Sequence, residues 1–292
     1  MQRIGLWIFS FCFFVAGFSQ QMHVAVSIEP QRFLLERIAG KTAGVVVLVP
    51  AGKNPHNYEP TPQQMRELKR SSVWFQIGIE FEQALMPKVR SLYPTLRIVD
   101  TTVGIKRRLL KEEELAEHEE GDDHHDEDRA GAPDPHVWMS LRLMREQASQ
   151  IYRTLAEVNP SQKALYQKNY EALVKDMEEL DQELVKRLAP YKGRVFFVYH
   201  PVLGYFADDY GLKQVAIEIK GKEPSPSELS RVIRAARERK VKTIFVQEGF
   251  SKRSAEAVAK ALGGRVVPIN PLSADYLNMM RSIGDKLVEG WK

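Results

Sequence analysis

Apolar and polar positions alternate over residues 23–29, a stretch rich in valine and isoleucine, which predicts a first β-strand. Pro30 then opens a helix in which Phe33, Leu34 and Ile38 recur at helical spacing until Gly40 stops it. Residues 45–49 are a continuous apolar run, as expected of a parallel strand covered on both faces. Residues 50–60 hold too much Pro, Gly and Asn to be anything but loop. Thr61-Pro62 reads as an N-cap followed by proline at the first helical position, so a helix should run to Arg70. Strands over 72–79 and 96–99 flank a helix over 81–92.

After a break at 104–133 the period changes. A helix follows Ser140, and Asn159-Pro160-Ser161 restarts a longer one. Its apolar positions are Leu165, Tyr166, Tyr170, Leu173, Met177, Leu180, Leu184 and Leu188, at spacings of three and four, and Pro190 ends it. A helix of that length in mid-chain is expected to be a rigid spine. Beyond it strands at 194–199, 214–219, 241–247 and 265–269 alternate with helices at 202–210, 226–240, 251–262 and 274–288. No internal sequence repeat is detectable. The prediction is an α/β fold, two lobes with mostly parallel sheets joined by the spine helix. The expected organisation is a signal segment at 1–19, a first lobe at 20–158, the spine at 159–190 and a second lobe at 191–292.

Composition changes this picture at the two irregular segments. Arg3 followed by the apolar run Ile4 to Ala16 and then Gly17-Phe18-Ser19 has the layout of a cleavable secretory signal, so a periplasmic location is expected. Cys12, the only cysteine, lies inside that run, which leaves the processed chain no disulfide to form. Lys111 to Arg129 carries eleven acidic and two basic residues, a net charge of −9, which leaves +13 on the rest of a chain whose total is +4. Such a segment buries too little apolar surface to offset its ordering entropy, and a mobile loop is expected at 104–133. No basic cluster with interleaved aromatics appears, so no nucleic-acid partner is expected.

The candidate chemistry is histidine. His56, His136 and His200 each stand next to proline just past an apolar run, in Asn54-Pro55-His56, Asp134-Pro135-His136 and Tyr199-His200-Pro201. His56 and His200 follow strands, where open α/β sheets bind their ligands. Imidazole suits zinc, copper, nickel and iron better than manganese, and a tetrahedral zinc site would take these three plus one more donor. Glu59, Glu248 and Asn270 are the candidates for that position or for a supporting role, with water as the alternative. A capping or salt-bridging role for Glu248 competes with a place at the metal. His23 reads as a partly buried strand residue. His118, His124 and His125 lie in the acidic segment, which reads as an auxiliary, weaker metal-binding tract or as a solvated linker.

At these motifs the chain resembles the metal-specific substrate-binding proteins of ABC transporters, the cluster A-I family. The resemblance rests on Pro55-His56-Asn57-Tyr58-Glu59-Pro60, on Asp134-Pro135-His136-Val137-Trp138, and on Tyr199-His200-Pro201 with Tyr205-Phe206 and Tyr210-Gly211-Leu212. Pro271-Leu272 with Met279-Met280 matches the C-terminal region. It implies two α/β lobes joined by one long helix with the metal in the cleft. Histidine at 200 and an acidic, His-containing loop resemble the zinc-uptake branch, whereas the manganese branch resembles a site with Glu at 200 and Asp at 270. Asn270 also departs from the Asp of many zinc members, so water or Glu59 is the better expectation for the fourth position. The implied function is capture of Zn(II) in the periplasm and delivery to an ABC membrane permease with its ATPase, by a protein expected to be a monomer and not an enzyme. The alternatives are a manganese- or iron-binding member of the same transporter family, a surface adhesin of the same fold, and a zinc hydrolase. For the last there is no HExxH helix and no nucleophile in view.

Overall fold

A computed structural model of the chain describes residues 21–111, 131–218 and 222–292. The expected signal segment and His118, His124 and His125 lie outside the described residues. Two four-stranded sheets, parallel throughout, each carry helices. In the first sheet β1 (Met22–Val26) lies between β2 (Ala43–Val47) and β3 (Val73–Gln76), with β4 (Arg97–Asp100) outermost beside β3. In the second, β5 (Val195–Val198) lies between β6 (Lys213–Ala216) and β7 (Thr243–Gln247), with β8 (Arg265–Ile269) beside β7. The orders β2-β1-β3-β4 and β6-β5-β7-β8 are the same path drawn twice. The repeat absent from the sequence is therefore present in the topology. Both sheets reverse direction beside their first strand, and the crevice at such a switch point is where α/β sheets receive ligands.

Every strand starts within two residues of its predicted run, because strands covered on both faces are apolar over most of their length, whereas β1, β3 and β6 end three residues before the runs do. The second strand of the second lobe is shorter than its pattern: β6 ends at Ala216, and Ile217 and Glu218 continue as a bend. Helix α1 (Glu29–Ala39) begins with Pro30 in its first turn and ends at Gly40, at φ 57°. Helix α2 (Pro62–Arg70) has a full capping box, in which Thr61 accepts from the Gln64 N–H and the Gln64 side chain accepts from the Thr61 N–H. Helix α3 (Glu80–Leu92) and α4 (Leu141–Val158) complete the first lobe, and α6 (Gly204–Tyr210), α7 (Pro226–Glu238), α8 (Arg253–Ala261) and α9 (Tyr276–Trp291) cover the second.

The spine is α5 (Lys163–Leu188), 26 residues and so about 39 Å long. Tyr166, Leu173, Met177, Leu180, Leu184 and Leu188 are buried along it, each side chain worth roughly 1.5–3 kcal/mol of burial. Leu165 was expected in this stripe but is exposed, since it stands one residue, about 100° of helix, off the buried line. The stripe packs on α1 and α4 of the first lobe and on α9 of the second. One continuous core thus runs through the spine into both lobes, and a second, smaller core fills the far side of the second sheet. Among the described residues no helix is long and apolar enough to cross a membrane.

Candidate metal centre

Three separate devices bring His56, His136 and His200 together. His56 rides the loop after β2, which is pinned at several points. Asn54 Oδ1 accepts the His56 N–H at 3.0 Å, Tyr58 donates to Gln64 Oε1, and Gln64 Nε2 donates to the Leu48 carbonyl at 2.7 Å. His136 opens a single 3₁₀ turn, Val137–Met139, whose side chains are buried, before Ser140 caps α4 by accepting the Leu143 N–H. Trp138 fixes that turn between the lobes: its indole N–H donates to the Pro271 carbonyl, and its own carbonyl accepts from Tyr276. His200 follows β5 directly at the switch point, where the Gln247 side chain at the end of β7 bonds both its N–H and its carbonyl.

The lobes touch at this rim. Gly249, at φ 85°, passes so close to the Gly52 carbonyl that a side-chain carbon there would collide with backbone. Gly204 leaves room for the Arg108 guanidinium, which pairs with Asp134 in its own lobe and reaches across the cleft to Asp208.

The three imidazoles converge through their Nε2 atoms, at 3.2 Å for His56–His136, 3.0 Å for His56–His200 and 3.1 Å for His136–His200. Nitrogens at ~2.0–2.1 Å from one tetrahedral zinc ion stand about 3.3–3.4 Å apart, so the triangle is close to ligand spacing. The opposite nitrogen of each ring faces a carboxylate oxygen: Glu80 at 2.8 Å for His56, Asp134 at 2.7 Å for His136 and Glu218 at 2.7 Å for His200. A carboxylate accepts, so the network assigns the proton to each Nδ1 and turns each Nε2 lone pair inward. Three lone pairs about 3 Å apart repel one another, and a cation between them removes the conflict.

The surrounding charges agree with this assignment. Burial pushes the His200 imidazole down to about 4, against the opposing pull of Glu218, so the ring is neutral at pH 7. Burial works to raise Glu80, but its hydrogen bond to His56 and the nearby imidazoles outweigh that and bring the carboxyl down to about 2. Burial likewise works to raise Asp134, yet His136 and the Arg108 guanidinium hold it below the ordinary carboxylate range. Glu82, beside the site, is different: burial pushes it up to about 7, although it accepts the N–H groups of Ile77, Gly78 and Ile79. It ties down the turn that delivers Glu80.

Of the other candidates, Glu59 and Glu248 are exposed. Among the described residues, the Asp, Glu, Cys and His side chains that converge at ligand spacing are His56, His136 and His200 alone. The Asn270 oxygen accepts the Leu272 N–H at 3.1 Å and so closes a local turn. His23 is an exposed residue of β1 rather than a half-buried one. The supporting carboxylates Glu80, Asp134 and Glu218 escaped sequence reasoning as a set. Glu80 and Glu218 nevertheless lie just past β3 and β6, where the rule that drew attention to His56 applies equally.

The family model described as "Zinc-uptake complex component A periplasmic" matches residues 24–290. The chain belongs to that family. Membership places it among the binding components of transport systems rather than among enzymes. A crystal structure of ZnuA superimposes with a TM-score of 0.84 at 35% identity, over 93% of this chain and 99% of that one. A zinc-bound ZnuA deletion mutant gives 0.83 at 35% identity, with coverage of 93% and 98%. A protein of Chlamydia trachomatis described as a putative metal-binding protein is 28% identical over 97% of this chain and 98% of its own length. The zinc-binding lipoprotein AdcA of Streptococcus pneumoniae is also 28% identical, over 94% of this chain; the chain spans only 56% of its length. The ZnuA structures and the chlamydial protein are thus matched over almost their whole length, and AdcA over about half of its own.

Because Glu218 is buried and fixes the His200 tautomer, Glu218→Gln is expected to weaken metal affinity about 10–100-fold. Competition against a chromophoric chelator measures it. Unchanged affinity would mean that the carboxylate does not orient the ring.

Proposed function

We propose that this protein captures Zn(II) through His56, His136 and His200 in the periplasm and delivers it to an ABC membrane permease with its ATPase. The observation that carries the reading is the inward-facing triangle of Nε2 atoms, each ring braced by a carboxylate on its other nitrogen. A three-nitrogen donor set suits zinc, whereas manganese favours oxygen donors. Water fills the fourth position in this proposal, since Glu59 and Glu248 face solvent and the Asn270 oxygen is engaged in its own turn. One exchangeable ligand suits a carrier that must release its cargo. The spine and the Trp138–Pro271 and Tyr276–Trp138 bonds brace the lobes, so release would come from rearrangement of the loops holding His56 and His200. The zinc-uptake relatives support zinc as cargo over the manganese or iron alternative.

The acidic segment holding His118, His124 and His125 belongs to the proposal as an auxiliary, weaker metal collector. Deleting residues 112–128 is expected to leave one tight zinc site and remove only weaker binding. Calorimetry on the shortened chain tests this, and loss of the tight site would refute it.

A further inference from the structure

The second lobe is concave at the end opposite His200. An open basin of about 930 Å³ is lined by Arg194, Arg239, Lys240, Lys242 and Arg265, with Glu289 the one acidic side chain among the described residues on its wall. The cations come from three separate stretches: Arg194 before β5, Arg239 to Lys242 between α7 and β7, and Arg265 at the start of β8. The folded chain, not local sequence, brings them together.

All five are exposed, and among the described residues none of them forms an ion pair. Six other arginines, Arg37, Arg97, Arg108, Arg142, Arg187 and Arg281, each pair with a carboxylate. In the basin the guanidinium groups are held by neutral partners instead. Arg194 donates to the Trp291 carbonyl and lies 5.8 Å over its ring, and Arg265 donates to the Glu289 carbonyl. They are positioned with charge to spare. The negative field at the C-terminus of α7 favours Arg239 and Lys240 without any ligand. It does not account for Arg194, Lys242 or Arg265, which enter at strand starts.

Lys240 adds an independent observation. Among the described residues it is the one non-glycine at positive φ, 53°, in the position just past α7 where its N–H returns to Arg237 and glycine is the ordinary occupant. A residue kept in that conformation against its own preference points to a use for its side chain.

We infer that this basin binds a phosphate-bearing anion. Guanidinium forks match phosphate oxygens two at a time, and clustered unpaired cations in a concavity raise the local concentration of such anions. The volume admits more than one phosphate group. Arg194 and His200 stand at opposite ends of β5, six residues of extended chain or roughly 20 Å apart. The anion and the metal are therefore held independently. Phosphate groups reach such a basin either on a soluble molecule or on lipid headgroups.

The test is calorimetric titration of the purified protein with sodium tripolyphosphate at low ionic strength, in parallel with co-sedimentation on vesicles of phosphatidylglycerol in phosphatidylcholine. Saturable binding in at least one arm is expected, weakened about tenfold or more by the pair R194A and R265A, with zinc affinity unchanged. Lys240→Gly should weaken it several-fold while raising Tm by about 2 °C, because glycine relieves the backbone. Tripolyphosphate binding alone assigns a soluble ligand, and vesicle binding alone assigns the headgroup. Binding in neither arm, or binding that survives R194A with R265A, overturns the inference.

Discussion

Replacing His136 by alanine is expected to weaken zinc binding by about 10²- to 10⁴-fold, a loss of roughly 3–5 kcal/mol from an overall ~10–16 kcal/mol shared among the ligands. His136 is the most constrained of the three histidines. Its ring is almost fully buried, its Nδ1 and backbone N–H both bond Asp134, and its Nε2 is within 3.2 Å of both other histidines. Alanine would remove the nitrogen that faces His56 and His200 and also leave Asp134 with Arg108 as its charged partner. His136→Gln keeps most of the volume and removes the imidazole, so the two variants together separate metal chemistry from packing. Competition with a chelator of known affinity provides the measurement, and circular dichroism shows whether the fold persists. Affinity within about threefold of the parent in a folded variant would remove His136 from the ligand set.

The second large effect concerns acid. Zinc binding should weaken steadily as pH falls below about 6.5, the ordinary imidazole value, because each ligand nitrogen must be free of a proton. His200 contributes differently from an ordinary imidazole. Burial holds it at about 4, so protons compete with metal for this ring only in stronger acid. The same depression destabilises the metal-free fold in acid. Between pH 6.5 and 4 the unfolded chain binds a proton at this histidine that the folded chain refuses, so stability is lost as pH falls through that window. A shift from 6.5 to about 4 corresponds to roughly 3 kcal/mol. Urea unfolding of metal-free protein at pH 7 and pH 4.5 should show most of that loss, and His200→Gln should reduce it. Equal stability of the parent protein at the two pH values would contradict a buried, neutral His200.

How much of this could be read in the sequence differs by element. The strands were readable because parallel strands covered by helices are apolar over most of their length, and the spine because its stripe persists over more than six turns. Leu165 shows the limit: a leucine one position off the buried line looks the same in sequence as one on it. His56, His136 and His200 could be picked out because each stands beside proline at the edge of an apolar run, and the fold brings these same residues together. Their carboxylate partners were harder. Asp134 lies two residues from His136, but Glu80 is 24 residues from His56 and Glu218 is 18 from His200. Those two pairs exist only because β3 and β6 end beside the loops that carry the histidines. The basic basin was invisible for the same reason. Arg194, Lys242 and Arg265 are unremarkable one at a time, and only parallel strands starting at one edge place them together.

The central claim is one tight, zinc-selective site made by three histidines. It is tested most directly by metal analysis of the purified protein, followed by titration with zinc against an excess of manganese. The account predicts about one zinc per chain, as three nitrogens and one exchangeable position imply, with no displacement by manganese. Manganese held in preference, or no tightly held metal, would contradict it.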